Sequence, residues 1–496
     1  MTATLLSICP DLRTAFVRND YTADSLLDML GEDAHAALGR SEPVPVRLAC
    51  RGKGTLGTLV MMFLLVDDIE KDEAARAVAP VLVDDAVAAG VLVRVGHGLV
   101  RAAIDIRPLD TGAGTRWVVS DLDGSMRSAP TAEDHVLGVG QASLSLLRGT
   151  PTVPADTVLD VGTGCGVQAV HAASYGRSIT ATDISERSLL LAAATTALNG
   201  IEIDLRRGSW FEPVDGMRFD RIVANPPFVV GPGTVSHSYR DSGLDLDGAS
   251  KLMIEQSPRH LNPGGTAAIL ASWVHVQGED WRARVASWLP DHGVDAWILQ
   301  RDVADPALYV GTWMRDGGVD PRDEEGAEQA RAWLDHFSAA GVTGIGFGFV
   351  YLRRTDHATD VLAEDLTQAF EDPLGNEAMS YFDRVSWLRE NDPAATVYEL
   401  DPATALERIY LPGEDGWTGE VTRVHRGNGP HWQHEIDDLG ALLLGGMRRG
   451  GLTLVELVEL LAGAHQLDEA ALLDAAISLV VGLQRHGLVH PAAVPA

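Results

Sequence analysis

Lysine is nearly absent from this 496-residue chain. Lys53, Lys71 and Lys251 are the only three, so arginine carries almost all of the positive charge. Acidic residues outnumber basic ones strongly enough to give a formal net charge of -31. A balance this acidic repels phosphate backbones. We therefore do not expect unassisted, non-specific binding to nucleic acid.

Cysteine and long apolar runs are also scarce. Cys9, Cys50 and Cys165 have no paired spacing, which fits a reducing cytoplasm and argues against a zinc cluster. The longest apolar run, residues 59–66, is far too short to span a bilayer. The N-terminus lacks the basic region and apolar core of a secretory signal. We expect a cytoplasmic protein with no membrane partner and no bound metal.

The length and composition predict a multidomain globular protein. At roughly 150 residues per domain, the length suggests about three domains. We predict an N-terminal helical, winged-helix-like domain at 1–110, an α/β domain at 111–355, a connector at 356–412 and a C-terminal helical, winged-helix-like domain at 413–496. Helical apolar spacing followed by a Gly-His-Gly turn between two β-rich runs supports the first of these. A packing or lid domain fits that pattern equally well.

The segment 111–355 alternates β-rich and helical stretches, which is typical of a doubly wound α/β sheet. The predicted strands are 157–161, 178–182, 202–206, 219–224, 266–271, 294–299 and 345–352. The predicted helices between them are 167–175, 186–199, 249–260 and 281–289. The long interval 300–344 is either part of a substrate site or a surface elaboration.

The tetrapeptide Asn225-Pro226-Pro227-Phe228 follows the strand predicted at 219–224. Two adjacent prolines remove two backbone donors and fix φ, so the chain leaves the sheet in a stiff turn. The Asn225 side chain and the Pro226 carbonyl can accept hydrogen bonds from an NH2 group, and Phe228 offers a face for stacking. The arrangement suits the binding of a planar group that carries an amide or amine nitrogen. A proline-stiffened strand exit without chemistry is the alternative.

A glycine-rich stretch follows the first predicted strand, with Asp160 ahead of Gly162, Gly164 and Gly166. Alternate glycines let the backbone turn tightly and approach a ligand. The leading acid disfavours a pyrophosphate but suits a ligand with an ammonium group, such as the methionine end of S-adenosylmethionine. Asp183, at the end of the second predicted strand, can accept both ribose hydroxyls or stabilise the helix that follows.

Four stretches in this order carry a family resemblance: 130–134, 159–166, 180–183, and 208–213 leading to 225–228. The segment resembles the class I S-adenosylmethionine-dependent methyltransferases, and most closely the HemK-type N-methyltransferases with their Asn-Pro-Pro-(Tyr/Phe) motif. This resemblance covers roughly half of the chain. It implies an α/β fold with a seven-stranded doubly wound methyltransferase core at 111–355, flanked by mainly helical domains that do not match the family.

The resemblance also implies S-adenosylmethionine as the cofactor. In that case the glycine loop and Asp160 bind the methionine moiety and Asp183 binds the ribose. Ser209 and Trp210 lie near the adenine edge, and Glu133 with Asp134 closes over the cofactor. Family members often have an acid at the position of Ser209, so here the hydroxyl or the backbone would recognise adenine.

The remaining predicted roles concern catalysis and the acceptor. We assign catalysis to Asn225, Pro226 and Phe228, with Asn225 also touching the cofactor, and we assign no general base. The predicted substrate-binding residues are Pro227, Phe228, Tyr239, Arg240 and Asp241. The stretch that contains the last three is equally well explained as a solvated connector.

The leading functional hypothesis is an N-methyltransferase acting on a protein glutamine, because the acidic charge disfavours RNA. The alternative is an RNA base methyltransferase acting on an adenine or guanine exocyclic amine of rRNA or tRNA. A third hypothesis, of another class, is a catalytically silent S-adenosylmethionine-binding regulator that uses its outer domains to bind partners. A C-terminal set, His425, His431, His434 and Glu435, fits no standard zinc spacing.

Overall fold

The computed structural model describes residues 2–123, 134–233, 242–320, 322–414 and 416–492. The chain divides into two compact units. The first comprises residues 1–147 and 152–365, and the second comprises residues 148–151 and 366–496. Within the described ranges, no helix is both long and apolar enough to cross a membrane. The four-segment division remains a prediction.

The first unit begins with six helices and five short strands. They are α1 (Thr2–Arg18), α2 (Ala23–Gly39), α3 (Pro43–Cys50), α4 (Gly54–Phe63), β1 (Ile69–Glu70), α5 (Lys71–Val78), α6 (Val83–Ala88), β2 (Leu92–Val95), β3 (Leu99–Ala102), β4 (Asp105–Asp110) and β5 (Thr115–Ser120). Gly31, with a φ of +74°, interrupts α2. Strands β2 and β3 form the hairpin predicted around the Gly-His-Gly turn. The pattern of helices followed by a hairpin is therefore confirmed.

Aromatic rings fill the core of this region. The ring of Phe16 lies 5.1 Å from that of Tyr21 and 5.8 Å from that of Trp117, measured between centroids. The Trp117 indole nitrogen also donates a hydrogen bond to the Tyr21 carbonyl at 2.7 Å. Truncating a buried ring of this kind to alanine costs about 3–5 kcal/mol of stability. These contacts hold the β4–β5 hairpin against the N-terminal helices.

The centre of the first unit is an eight-stranded sheet with helices between its strands. The elements in chain order are α7 (Gln141–Gly149), β6 (Ala155–Val161), α8 (Val167–Ala172), β7 (Gly176–Asp183), α9 (Glu186–Asn199), β8 (Asp204–Arg207), β9 (Phe219–Ala224), β10 (Gly231–Pro232), β11 (Asp245–Leu246), α10 (Gly248–Gln256), β12 (Leu261–Val276), α11 (Trp281–Ala286), β13 (His292–Ala304), α12 (Pro306–Asp316), α13 (Glu324–Ala339), β14 (Val342–Ala358) and β15 (Asp360–Asp365). Short 3-10 turns at Glu212–Val214 and Ser257–His260 complete the set.

The strand order across the sheet is β15-β13-β14-β12-β9-β6-β7-β8. Strands β8, β7, β6, β9 and β12 are parallel, and β14 is antiparallel to both of its neighbours. All seven predicted strands are present, which confirms the doubly wound α/β fold. The eighth strand, β15, pairs with β13 in parallel and was not predicted, because its sequence carries acids at both ends.

The order of the strands predicts a binding site at the carboxyl ends of β6 and β9. From β6 the chain moves outward through β7 to β8 and then returns to the other side of β6 as β9. The order therefore reverses between β6 and β9. In open α/β sheets, ligands bind beyond the carboxyl ends of the strands at such a reversal.

The second unit combines helices with small antiparallel sheets. Its elements are α14 (Leu374–Glu390), β16 (Tyr398–Leu400), β17 (Thr404–Gly413), β18 (Gly416–Arg426), β19 (Gln433–Glu435), α15 (Asp438–Gly446), α16 (Leu454–His465), α17 (Glu469–Arg485) and β20 (Val489–Pro491). Residues 404–412, predicted as part of a mixed helical connector, instead belong to β17, which pairs with β18. The prediction for this stretch of the connector is therefore wrong, whereas α15, α16 and α17 supply most of the regular structure of 413–496.

The histidines of this unit make aromatic and hydrogen-bonded contacts. The Nε2 atom of His434 lies 2.8 Å from Nδ1 of His486, and the His486 ring stacks on Trp432 at 4.3 Å. Across the described part of the chain, no three potential ligand side chains form a metal-sized cluster.

Candidate functional site

The glycine loop joins β6 to α8 at the carboxyl edge of the sheet. Gly162, Gly164 and Gly166 have φ angles of +74°, +54° and +81°, which side-chain-bearing residues rarely adopt. A side chain at Gly166 would lie 3.1 Å from the Ala192 Cα on α9, whereas one at Gly164 would meet nothing within 4 Å. The loop is tightly packed against α9 at its end and open at its centre. A ligand can therefore approach the backbone there.

Asp160 lies on β6 beneath this loop and is 1% exposed. Its carboxylate accepts a hydrogen bond from the Thr163 hydroxyl at 2.6 Å. Burial raises the pKa of Asp160 to about 7, the Thr163 hydrogen bond lowers it in part, and the charge of Asp183 raises it further. A cation nearby would stabilise the ionised form. The site therefore fits a ligand that carries an ammonium group.

Asp183 is half-buried at the carboxyl end of β7. One of its oxygens accepts a hydrogen bond from the Gly164 N–H and the other from the Ser185 N–H, both at 2.9 Å. Burial raises the pKa of Asp183, and these backbone hydrogen bonds lower it in part. Because each carboxylate oxygen has two lone pairs, Asp183 can anchor the loop and still accept further hydroxyl groups.

The tetrapeptide begins directly beside the glycine loop. Strands β6 and β9 are parallel neighbours, with Val161 opposite Ala224. Gly162 and Asn225, the residues that follow these two strands, therefore begin neighbouring turns at the same edge of the sheet. A side chain at Gly162 would meet the Pro226 Cα at 4.0 Å. The structure thus brings together the glycine loop, Asp183 and the tetrapeptide, which lie far apart in the sequence.

The side chain of Asn225 is held by a residue that no motif indicates. Its Nδ2 donates to the Ser143 hydroxyl on α7 at 3.5 Å, across 82 positions of sequence. Gln168 on α8 donates to the Ser143 carbonyl at 2.8 Å, and the buried Oε1 of Gln168 has no hydrogen-bond partner among the described residues. With Nδ2 engaged, Oδ1 of Asn225 is the atom that can accept an N–H from a ligand. No signal in the sequence singles out Ser143, because α7 also contains Gln141, Ser145 and Arg148.

Phe228 lies at the end of the tetrapeptide and is half-buried. Its carbonyl accepts a hydrogen bond from the Ser272 hydroxyl on β12 at 2.5 Å. Its ring is 5.4 Å from that of Phe347, with an interplanar angle of 45°. Pro226 is buried and Pro227 is half-buried. The segment is thus fixed at both ends, as the two prolines predict.

The interval 300–344 packs against the chain that follows Phe228. The backbone N–H of Val230 donates to the Tyr309 hydroxyl on α12 at 2.8 Å. A side chain at Gly231 would lie 3.3 Å from the Trp333 ring on α13. Val229, Val230, Tyr309 and Trp333 belong to one buried cluster. These contacts favour the first of the two alternatives for this interval, a part in shaping the site.

Ser209 and Trp210 follow β8, where the Gly208 N–H donates to the Asp183 carbonyl at 3.1 Å. Both residues line a cleft of about 730 Å³. Trp210 has a φ of +50°, which is uncommon for an aromatic residue. The cleft extends away from Asp183 toward Arg259. These two residues therefore lie near the ribose-binding candidate but also face a separate groove.

Several predicted site residues cannot be placed. Glu133, Tyr239, Arg240 and Asp241 lie outside the described residues. Asp134 is described and exposed, and its charge contributes to the raised pKa of Arg187, whose main cause is the hydrogen bond to Asp121. The predicted closure over the cofactor and the predicted substrate wall therefore stay predictions.

Three families match parts of this chain. Residues 137–277 match the methyltransferase small domain, and residues 18–103 and 379–491 match two families described only as domains of unknown function. A release factor glutamine methyltransferase from Gloeobacter violaceus is 35% identical over 126 residues, which is 23% of this chain and 44% of that protein. A ribosomal RNA small subunit methyltransferase C from Salmonella arizonae is 37% identical over 117 residues, which is 23% of this chain and 31% of that protein.

The chain thus covers less than half of each of these relatives. Among solved structures, a 16S rRNA N2 G1207 methyltransferase from T. thermophilus, in complex with AdoMet and guanosine, is similar with a TM-score of 0.28 and 17% identity. That similarity covers 44% of this chain and 58% of the other. The family match identifies residues 137–277 as a methyltransferase small domain, in agreement with the strand order and the glycine loop described above.

Proposed function

We propose that this protein is an S-adenosylmethionine-dependent N-methyltransferase that acts on a planar amide or amine nitrogen. The observation that carries the proposal is the position of Asn225 and Pro226 directly beside the glycine loop, where the order of the sheet reverses. The first acceptor to test is a protein glutamine side chain.

The residues present fit the cofactor. The open face of Gly164 admits a ligand close to the backbone, and buried Asp160 would be stabilised by its ammonium group. Asp183 would accept the ribose hydroxyls, and Ser209 and Trp210 would lie at the adenine edge. When bound, S-adenosylmethionine supplies an electrophilic sulfonium methyl group.

The chain itself supplies positioning and electrostatic stabilisation. The acceptor N–H groups would donate to Oδ1 of Asn225 and to the Pro226 carbonyl, with Phe228 holding the planar group by stacking. These hydrogen bonds favour an exposed lone pair on the nitrogen and stabilise the positive charge that develops there. The alkylated nitrogen is acidic and loses its proton to water afterwards, so a strong general base is not required.

Two observations support a protein acceptor. The net charge of -31 opposes the approach of a phosphate backbone. A release factor glutamine methyltransferase is among the relatives of the central domain. One observation favours an RNA base as the second candidate, namely the similarity of the same domain to ribosomal RNA small subunit methyltransferase C.

Transfer of a radiolabelled methyl group from S-adenosylmethionine tests the proposal. The full chain is incubated with a cell extract, and the label is followed through protease and ribonuclease digestion. We expect protease-sensitive label, and we expect Asn225→Ala to lower it by about 100-fold, the size typical for removing one positioned polar contact to a transition state. Asn391→Ala is the matched control, because Asn391 is exposed and bonds only within its own helix end.

Three outcomes separate the hypotheses. Equal labelling by the wild-type chain and Asn225→Ala would refute the catalytic assignment. Label that is removed by ribonuclease supports the RNA alternative. Binding of S-adenosylhomocysteine with no label in either fraction supports a catalytically silent regulator.

A further inference from the structure

The cleft that begins at Trp210 ends at a group of arginines. Arg218 precedes β9 and Arg259 lies in the 3-10 turn after α10, and both are exposed and line the cleft. Neither forms an ion pair with a carboxylate of the described residues. Arg354 on β14 donates to the carbonyl of Leu261 at 2.6 Å, which places a third guanidinium beside them.

Among the described residues, the cleft arginines lack the carboxylate partner that many arginines of the first unit have, as in Arg206 with Asp204 at 2.8 Å and Arg353 with Asp295 at 3.0 Å. Other arginines donate to backbone carbonyls, as Arg221 does to Val153 at 2.7 Å. At the cleft, the charges of Arg218 and Arg354 repel each other. Burial lowers the pKa of Arg354, and the charge of Arg218 lowers it further. An anion bound between the guanidinium groups would remove this repulsion.

Two acidic groups also line the cleft. Glu212 and Asp215 are exposed there and match the charge of Arg218 and Arg259, so the nearby Arg354 leaves an excess of one positive charge. Burial is the largest influence on His260 and lowers its pKa, with Asp215 opposing and Arg259 adding to that effect. This excess of positive charge comes from the arginines, which stay protonated at any pH the protein meets.

One wall of the cleft is aromatic. The rings of Phe211 and His260 are stacked, with centroids 4.6 Å apart and an interplanar angle of 9°, and half-buried Trp210 is the next residue along the chain. Phe211 and His260 are buried, at 2% and 9% exposed, so they support this wall, and Trp210 is the ring that can stack on a nucleobase. The volume of about 730 Å³ lies within the range of small-molecule sites.

We propose that this cleft binds a nucleotide, with its phosphate at Arg218 and Arg259 and its base against Trp210. The nucleotide is either free or part of an RNA chain. Guanidinium groups suit phosphate because their paired N–H donors match its oxygens. This binding goes beyond methyl transfer. Because Trp210 is also proposed to lie at the adenine edge of the cofactor, the cleft is tested without S-adenosylmethionine.

Isothermal titration of the full chain, without S-adenosylmethionine, tests the site. The ligands are uridine 5′-monophosphate and uridine, which differ by the phosphate and avoid competition at an adenine site. We expect the monophosphate to bind at least tenfold more tightly than uridine. We expect Arg259→Gln to weaken its binding by about tenfold, as for the loss of one charge-assisted hydrogen bond.

Arg322→Gln is the matched control, because Arg322 is exposed and the substitution changes the net charge equally. It should bind the monophosphate as the wild-type chain does. Equal binding of uridine and its monophosphate would overturn the proposal, as would equal affinities in the wild-type chain and Arg259→Gln. Retained S-adenosylhomocysteine binding by Arg259→Gln shows that the variant is folded and keeps this test separate from the methyltransferase proposal.

A five-residue uridine oligonucleotide separates the two sources of the nucleotide. If it binds at least tenfold more tightly than the monophosphate, and if its affinity falls steeply with salt, the site is occupied by RNA. If the two ligands bind equally, a free nucleotide is the occupant. Either result supports the phosphate site.

Discussion

The Asp183 carboxylate accepts a hydrogen bond from the Gly164 backbone N–H at 2.9 Å. This contact ties the end of β7 to the centre of the glycine loop after β6. Asp183 therefore has a structural task in addition to its predicted contact with ribose, because it fixes the open part of the loop before any ligand arrives. Such preorganisation reduces the entropic cost of binding.

Asp183→Asn should lower the affinity for S-adenosylhomocysteine at least tenfold. An asparagine has one acceptor oxygen in place of two, so either the Gly164 or the Ser185 N–H loses its partner, at a cost of about 1–3 kcal/mol. Isothermal titration measures the effect. Glu186→Gln is the control, since Glu186 is exposed and pairs with Arg207 instead of the loop. Unchanged affinity in Asp183→Asn would contradict the anchoring role.

Asp160 should make the unfolding free energy depend on pH. Its pKa is raised from the model-compound value of 3.8 to about 7 by burial, so the folded state holds a proton that the unfolded state has released. The contribution of this group to stability is therefore present below pH 4 and is lost as the pH rises to about 7. At roughly 1.4 kcal/mol per pH unit, the loss amounts to a few kcal/mol.

Asp160→Asn removes that titration while keeping an acceptor for the Thr163 hydroxyl. We expect the difference in unfolding free energy, variant minus wild type, to grow between pH 5 and pH 7 and then level off. Urea denaturation at several pH values measures it. Asp156→Asn, at an exposed position on β6, should show no such growth. A difference that is constant with pH would show that Asp160 is ionised in the folded protein throughout.

Ser143→Ala should lower kcat for methyl transfer by about three- to tenfold. The substitution releases Nδ2 of Asn225, which then samples other rotamers, and one hydrogen bond contributes about 1 kcal/mol. Steady-state kinetics measures kcat and KM separately, and we expect KM for the cofactor to change little. Ser143→Thr restores a hydroxyl and should recover part of the rate.

Ser145→Ala is the control for this prediction, because Ser145 lies on the same helix and is exposed. Equal kcat values for Ser143→Ala and Ser145→Ala would mean that the Ser143 contact does not position Asn225.

Local signals explain which elements the sequence predicts well. Helix α9 runs from Glu186 to Asn199, as predicted, because the Ser185 side chain caps its start and Gly200, with a φ of +67°, ends it. Strand β9 likewise ends where Asn225 and the prolines interrupt the ladder. Such boundaries depend on residues adjacent in sequence, so a single chain suffices to locate them.

Contacts between distant segments explain what the sequence does not predict. Strand β17 is stabilised by its pairing with β18. Most of its side chains are partly or fully exposed, so its sequence lacks the apolar alternation of a buried strand. The contact of Asn225 with Ser143 joins a strand end to a helix that precedes the whole sheet. The motif locates the catalytic candidate, but only the fold shows which residue orients it.

The placement of α12 and α13 separates two parts of the candidate site. Both helices lie in the connection between β13 and β14, which are adjacent antiparallel strands, and they reach the chain after Phe228 through Tyr309 and Trp333. The glycine loop, Asp160 and Asp183 belong to strands on the other side of β9. Under the proposed function, exchanging this one connection would alter the acceptor side of the site and leave the residues proposed to bind the methyl donor in place.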